Sequence, residues 1–300
     1  MTIFTGTGTA VCTPFDTNDN INPDAYARLI QFQVENSTDA IVTCGTTGEI
    51  STLDDDEHVE VARLAVEAVK AATHGTRRIP VIAGAGTNDT RHSITLAKRL
   101  EKQAQVDALM VVTPYYNKTS QKGLVAHFAA VAAAVNVPIV VYNVPSRTGL
   151  NLLPKTLLEM SKIENIVAVK EASGNITQIA EVCALCAGHL DIYSGNDDHV
   201  VPVLSLGGKG VISTTSNIAP QPMHDMVAKF LAGDISGAAR IQLQLLDLMK
   251  LLFTDVNPMP VKAALNLMGF DMGHCRLPLT TIEESLQAAL SAEMKKLGLL

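Results

Sequence analysis

Eight short apolar runs rich in β-branched residues recur along the first two-thirds of this 300-residue chain. They are Gly8–Thr13, Asp39–Cys44, Ile79–Ala83, Asp107–Thr113, Pro138–Tyr142, Ile166–Lys170, Leu190–Ser194 and Gly210–Thr214. A run that is apolar on both faces suits a buried parallel strand, because helices cover each side of such a sheet. The intervening stretches are long enough for helices and carry their signals. Asn22-Pro23-Asp24 sets a capping side chain before proline at the first helical position. Asp54-Asp55-Asp56-Glu57 gathers carboxylates at a helix start, where the peptide dipole favours them. Helical patterns also run over Thr90–Lys102, Ser120–Val135, Pro154–Lys162, Thr177–Ala187 and Asp197–Leu206. Evenly spaced strand–helix units over about 230 residues predict an α/β fold closed as a (β/α)8 TIM barrel, in preference to a doubly wound sheet. Beyond about Ala232 the strands stop. Ser236–Phe253, Pro258–Met268 and Thr280–Leu297 read as helices alone, so residues 1–232 are expected to form the barrel and 233–300 a C-terminal helical domain.

Charge and composition narrow the function. Lys plus Arg total 23 against 30 Asp plus Glu, a formal charge of −7. A nucleic-acid binder needs clustered positive charge to displace counterions, and tryptophan, the best stacking platform, is absent. Nucleic acid is therefore not an expected partner. No apolar run approaches the roughly 18 to 20 residues of a membrane-spanning helix, and Met1–Thr5 has no basic or apolar targeting character. Five cysteines, an odd and low number, fit reduced thiols. A cytoplasmic enzyme is the expectation.

In such a barrel the reactive groups sit at the C-terminal strand ends and the loops that follow. The second run is followed by Gly45-Thr46-Thr47-Gly48-Glu49, and the fourth leads into Thr113-Pro114-Tyr115-Tyr116-Asn117. The fifth leads into Tyr142-Asn143-Val144-Pro145-Ser146-Arg147-Thr148-Gly149. Lys170 closes the sixth. Desolvation makes a lysine amine easier to deprotonate, and a neutral amine condenses with ketones to an imine. A lysine paired on the rim with Glu171 or another acid reads equally well from position alone. Tyr142, on the adjacent strand, is placed to shuttle protons, especially through a hydroxyl such as Thr46 or Thr47, but a tyrosine capping the core fits as well. The same threonines, between glycines, suit a carboxylate or a plain tight turn. Arg147, in a loop stiffened by Pro145, offers a fork for a carboxylate and so an acidic substrate, but a plain surface arginine fits as well.

No cofactor or metal is indicated. Gly84-Ala85-Gly86 lacks the third glycine of a dinucleotide fingerprint, which would fall at Asp89. Cys183 and Cys186, near His189, have no second ligand pair and lie in an apolar helical setting that reads as buried thiols. Gly207, Gly208 and Gly210 precede the eighth run, whereas barrel phosphate sites follow strands seven and eight.

Together these segments resemble the dihydrodipicolinate synthase family of pyruvate-dependent aldolases. Val169-Lys170-Glu171-Ala172-Ser173-Gly174-Asn175, Gly207–Ser213 and Asn257-Pro258-Met259-Pro260-Val261-Lys262 extend the likeness over essentially the whole chain, in order. The resemblance implies that Lys170 forms an imine with pyruvate, whose enamine attacks L-aspartate 4-semialdehyde in the diaminopimelate route to lysine. It makes Tyr142, Thr46 and Tyr116 a proton relay, with Tyr116 supplied by a neighbouring subunit of a homotetramer built as a dimer of dimers. It assigns Thr47 to the pyruvate carboxylate and Arg147 to that of the semialdehyde, and sets the backbone of Gly195 and Ile212 near the substrate. Sialic-acid and 2-keto-3-deoxy sugar-acid lyases share the lysine and tyrosine but generally lack the arginine. They remain the alternative, beside a non-catalytic small-acid-binding barrel and a metal-dependent aldolase.

Two departures carry expectations. Asn88, Tyr115 and His58 match a lysine-effector site of the family, but Ile50 and Asp55 stand where inhibited members usually carry Ser and His. His92 replaces the acid that would meet the effector's amino group, so lysine inhibition is expected to be weak or absent. Asn196 stands where many members carry Asp, which would pass any acid–base role there to Asp197.

Overall fold

The computed structural model describes residues 2–76 and 79–300. The strands are β1 (Gly6–Ala10), β2 (Ala40–Thr43), β3 (Val81–Gly84), β4 (Ala108–Val112), β5 (Ile139–Asn143), β6 (Ile166–Glu171), β7 (Asp191–Ser194) and β8 (Gly210–Ser213). All pair in parallel and in sequence order, and β1 pairs with β8 to close the barrel. The expected TIM barrel is thus the observed fold. Its first strand starts earlier than the apolar run suggested. The β1–β8 ladder begins at Gly6 and Gly210, where a Cβ on Gly210 would lie 1.8 Å from the Gly6 carbonyl oxygen. Only glycines allow that approach. At its other end the chain leaves the ladder after Val11, because the Cys12 amide donates instead to the Asn217 side chain at 3.2 Å.

Alternation along each strand separates two cores. Phe4, Val42, Ile82, Met110, Val140, Tyr142, Ala168, Tyr193 and Ile212 pack inside the barrel. Ile41, Val81, Leu109, Val141, Val169 and Val211 pack outward against the helices. Phe4 plugs the interior by stacking on Tyr193, with ring centroids 4.3 Å apart, and its carbonyl accepts from the Tyr193 hydroxyl at 2.7 Å.

The helix starts follow their capping chemistry. Asn22 accepts from the Ala25 amide ahead of Pro23–Glu35, and Asp54 and Glu57 form a reciprocal box ahead of Asp55–Thr73. Several ends differ from the sequence reading. The helix from Thr90 is regular only to Arg99 and then widens into a π turn over Leu100–Ala104. Asp197–His199 is a 3-10 turn and the α-helix is Val200–Ser205, because the Asp197 carboxylate turns back to the backbone after β8. Pro220–Leu231 follows β8. The stretch Ser236–Phe253 divides into Ile235–Gln244 and Leu246–Leu251. The last helix is Glu284–Lys296, and Met259–Leu267 precedes it. Leu245, Leu248, Val261, Leu265 and Leu290 of this C-terminal part belong to the same buried cluster as the barrel's outer core. No helix among the described residues is long and apolar enough to cross a membrane.

Candidate active site

Lys170 sits beside Tyr142, its register partner across β5 and β6. Strand alternation turns Val169 and Glu171 away and Lys170 toward the barrel mouth, where the residue is only 6% exposed. Its Nζ lies 4.3 Å from the centroid of the Tyr142 ring. The reading of Lys170 as the ionic partner of Glu171 is corrected here. The Glu171 carboxylate accepts from Asn143 Nδ2 at 3.0 Å and from the Ser173 amide at 2.7 Å. Burial pushes that carboxyl above the usual carboxylate range, against those hydrogen bonds. Among the described residues Lys170 makes no ion pair.

A cavity of about 400 Å³ opens over Lys170, lined by Thr46, Thr47, Tyr142, Arg147, Lys170 and Gly195, among others. Gly195 keeps the approach clear: a Cβ there would lie 2.6 Å from the Ala172 Cβ and 3.2 Å from Lys170 Cγ. The Thr47 hydroxyl accepts from Asn257 Nδ2 at 3.0 Å and stands 3.3 Å from that of Thr214. Arg147 is carried on a single helical turn, Pro145–Thr148, that the sequence reading treated as loop. Pro145 is its first residue, and Gly149 ends it in the left-handed conformation with φ 69°.

Thr46, Tyr142 and Arg147 also border an adjoining cavity of about 390 Å³ that holds His58, Asn88, Tyr115, Ile50, Asp55 and His92. His58 Nε2 donates to the Gly84 carbonyl at 2.7 Å, and burial lowers its pKa to about 4. It is a neutral imidazole at pH 7. His92 Nε2 pairs with Asp55 at 2.7 Å, so the two substituted positions hold each other.

Two of the named residues line neither cavity. Tyr116 is 89% exposed and left-handed, with φ 73°. Ile212 lies on β8 with its side chain in the inner core. Asp197 does line the cavity over Lys170, but its Oδ2 is taken by the Thr215 amide at 2.8 Å and the Thr215 hydroxyl at 2.7 Å. Burial raises its pKa more than the nearby Lys170 charge lowers it. Cys183 and Cys186 are buried helical thiols, and burial raises both, Cys183 to about 11.

Reading strand ends alone missed what the C-terminal helices bring. Met249, Lys250, Phe253 and Asn257 all line the cavity over Lys170. The only signal for them was Asn257–Lys262, a segment with no strand to explain it.

The family model described as Dihydrodipicolinate synthetase family matches residues 3–297. The chain belongs to the dihydrodipicolinate synthetase family. A curated relative, the 4-hydroxy-tetrahydrodipicolinate synthase of Lachnoclostridium phytofermentans, is 52% identical over 301 residues, covering all of both chains. A solved monomeric dihydrodipicolinate synthase variant is 41% identical with a TM-score of 0.94, covering 99% of this chain and 98% of that one. The chloride-inhibited dihydrodipicolinate synthase of Acinetobacter baumannii, solved with pyruvate, is 37% identical with a TM-score of 0.94 over 99% of both chains. In this synthetase-family chain, the residues on which the likeness was read, Lys170, Tyr142, Thr46, Thr47 and Arg147, converge on one cavity.

Proposed function

We propose that this chain is a Schiff-base lyase, a 4-hydroxy-tetrahydrodipicolinate synthase that joins pyruvate to L-aspartate 4-semialdehyde in the diaminopimelate route to lysine. The observation that carries the reading is a buried lysine with no ionic partner among the described residues, beside a tyrosine, in a cavity bordered by two threonines and an arginine.

The neutral Lys170 amine attacks the keto carbon of pyruvate, and loss of water from the carbinolamine leaves an imine. Removal of a methyl proton gives the enamine. Its carbon attacks the aldehyde of the semialdehyde, whose oxygen takes up a proton and becomes the product hydroxyl. The semialdehyde's own amino group then displaces Lys170 from the imine carbon, which closes the ring and frees the enzyme. Tyr142 is the proton carrier within reach of the Lys170 nitrogen, and Thr46 links it onward. Tyr116 completes the relay from a neighbouring subunit of a homotetramer, which accounts for its exposure here. The hydroxyl of Thr47 meets the pyruvate carboxylate, Arg147 that of the semialdehyde, and the backbone at Gly195 and Ile212 borders the substrate. The position of Arg147 on the cavity wall favours this acceptor over the polyhydroxylated tails of sugar-acid lyases. The reading places the protein in the cytoplasm, with no cofactor. Its barrel is residues 1–232 and its helical domain 233–300.

The test is mass spectrometry after incubation with pyruvate and sodium borohydride. A reduced pyruvyl adduct on Lys170 supports the imine, and product formation with the semialdehyde but not with sugar acids supports the acceptor. Folded protein that carries no adduct would overturn the lyase reading.

A further inference from the structure

The loop that carries Thr46 and Thr47 is gripped from outside the barrel by a buried ion pair. Glu49 ends that loop in the left-handed conformation, with φ 56° and ψ 38°, which a residue with a side chain keeps only where its surroundings enforce it. Its amide donates to the Thr46 carbonyl at 3.1 Å. Its carboxylate is held at both oxygens. Lys262 Nζ donates to Oε1 at 2.7 Å, and the Arg276 amide to Oε2 at 2.9 Å. The two side chains are 1% and 2% exposed. Lys262 Nζ also donates to the His274 carbonyl at 2.6 Å and stands 4.3 Å from the centroid of Phe15, so the ammonium is fully engaged.

Lys262 lies in the helix Met259–Leu267, just beyond Asn257, whose side chain donates to the Thr47 hydroxyl at 3.0 Å. One C-terminal segment therefore holds the loop at two points, Thr47 and Glu49. Stability alone is a poor reason for such a pair, since well-packed apolar replacements of buried ion pairs are often as stable or more so. Fixing register between distant segments is the best-attested use of a buried polar contact, and these partners are 213 residues apart.

We propose that Glu49 and Lys262 are positioning residues for the carboxylate cradle of the first substrate, holding the left-handed turn that aims the Thr47 hydroxyl. The proposal rests on the reading of Lys170 and Thr47 given above. Without the pair, Glu49 relaxes toward ordinary backbone angles, its bond to Thr46 opens, and Thr47 loses its direction while Lys170 and Tyr142 stay where β5 and β6 put them.

The test is the double variant Glu49→Gln/Lys262→Met, which removes both buried charges together and leaves neither alone. Its melting transition establishes that it folds. The pyruvate concentration for half-maximal borohydride trapping on Lys170, and the KM for pyruvate, are expected to rise about tenfold. The trapping yield at saturation and the KM for the aldehyde should stay within about twofold of wild type. Folded double variant with unchanged half-saturation overturns the proposal and makes the pair purely structural. If that variant does not fold, Glu49→Asp carries the same expectation, because it keeps both charges and withdraws the carboxylate by one methylene. Wild-type protein that does not trap pyruvate at all overturns the Lys170 reading and this proposal with it.

Discussion

In the proposed chemistry a single lysine matters as much for what it does not touch as for what it does. Lys170 is buried, faces the Tyr142 ring and, among the described residues, has no carboxylate in contact. Lys170→Ala is expected to abolish borohydride trapping and to lower turnover by at least about 10³-fold, measured on folded protein. Tyr142→Phe should keep the cavity's shape and lower kcat by roughly 10² to 10⁴-fold, with a smaller effect on the KM for pyruvate. His58 gives a prediction of another kind. Its imidazole is buried neutral with a pKa near 4 against an ordinary 6.5. The unfolded chain thus binds a proton between those values that the folded chain refuses. Stability from this group is complete above about pH 6.5 and is lost as pH falls toward 4, at most about 3 kcal/mol. Melting temperatures across that interval should fall in wild type and fall less in His58→Gln. Equal slopes would show that other groups carry the acid sensitivity.

The strands were legible because a barrel strand is apolar on both faces, and that property survives in the residues themselves. The same reading picked out Lys170, Tyr142 and the Thr46-Thr47 turn, since each closes or follows such a run. It could not find Asn257 or Lys262, whose contacts join positions more than 200 residues apart with no periodicity to mark them. Nor did it mark the turn Pro145–Thr148, whose four residues are too few for a helical period to show. That turn matters, because it fixes where Arg147 emerges. Arg147→Ala should raise the KM for the semialdehyde about 10²-fold and leave pyruvate trapping within about twofold of wild type. A loss of trapping would show that the turn shapes the pyruvate site instead. The helices Asp55–Thr73 and Thr90–Arg99 act together at the adjoining cavity, where the Asp55–His92 pair bridges them. Asp55 is the one carboxylate among the described residues that line this cavity, so an incoming ammonium would have to compete with His92 for it. Half-inhibition by lysine is therefore expected only above about 1 mM. A steady-state curve with a lower midpoint would overturn this.

At the scale of the molecule, the relay role proposed for Tyr116 requires a second copy of the chain. Tyr116 lines neither of the two cavities, is almost wholly exposed, and holds a left-handed backbone that costs of order 1 to 3 kcal/mol. Within this chain it reaches neither Lys170 nor Tyr142, so a role in proton transfer requires that it act on a second copy. A two-fold contact would exchange the tyrosines reciprocally, one into each site. This arrangement predicts a specific arithmetic. In Tyr116→Phe the lysine is present but the incoming tyrosine is missing. In Lys170→Ala the tyrosine is sound but its own site is dead. Co-expressed in equal amounts and assembling at random, half of all dimers are mixed, and each mixed dimer has one complete site of two. Activity should then recover to about a quarter of wild type, well above the mean of the two parents. If Tyr116 served only its own chain, every mixed dimer would keep two defective sites, and co-expression would yield no more than that mean.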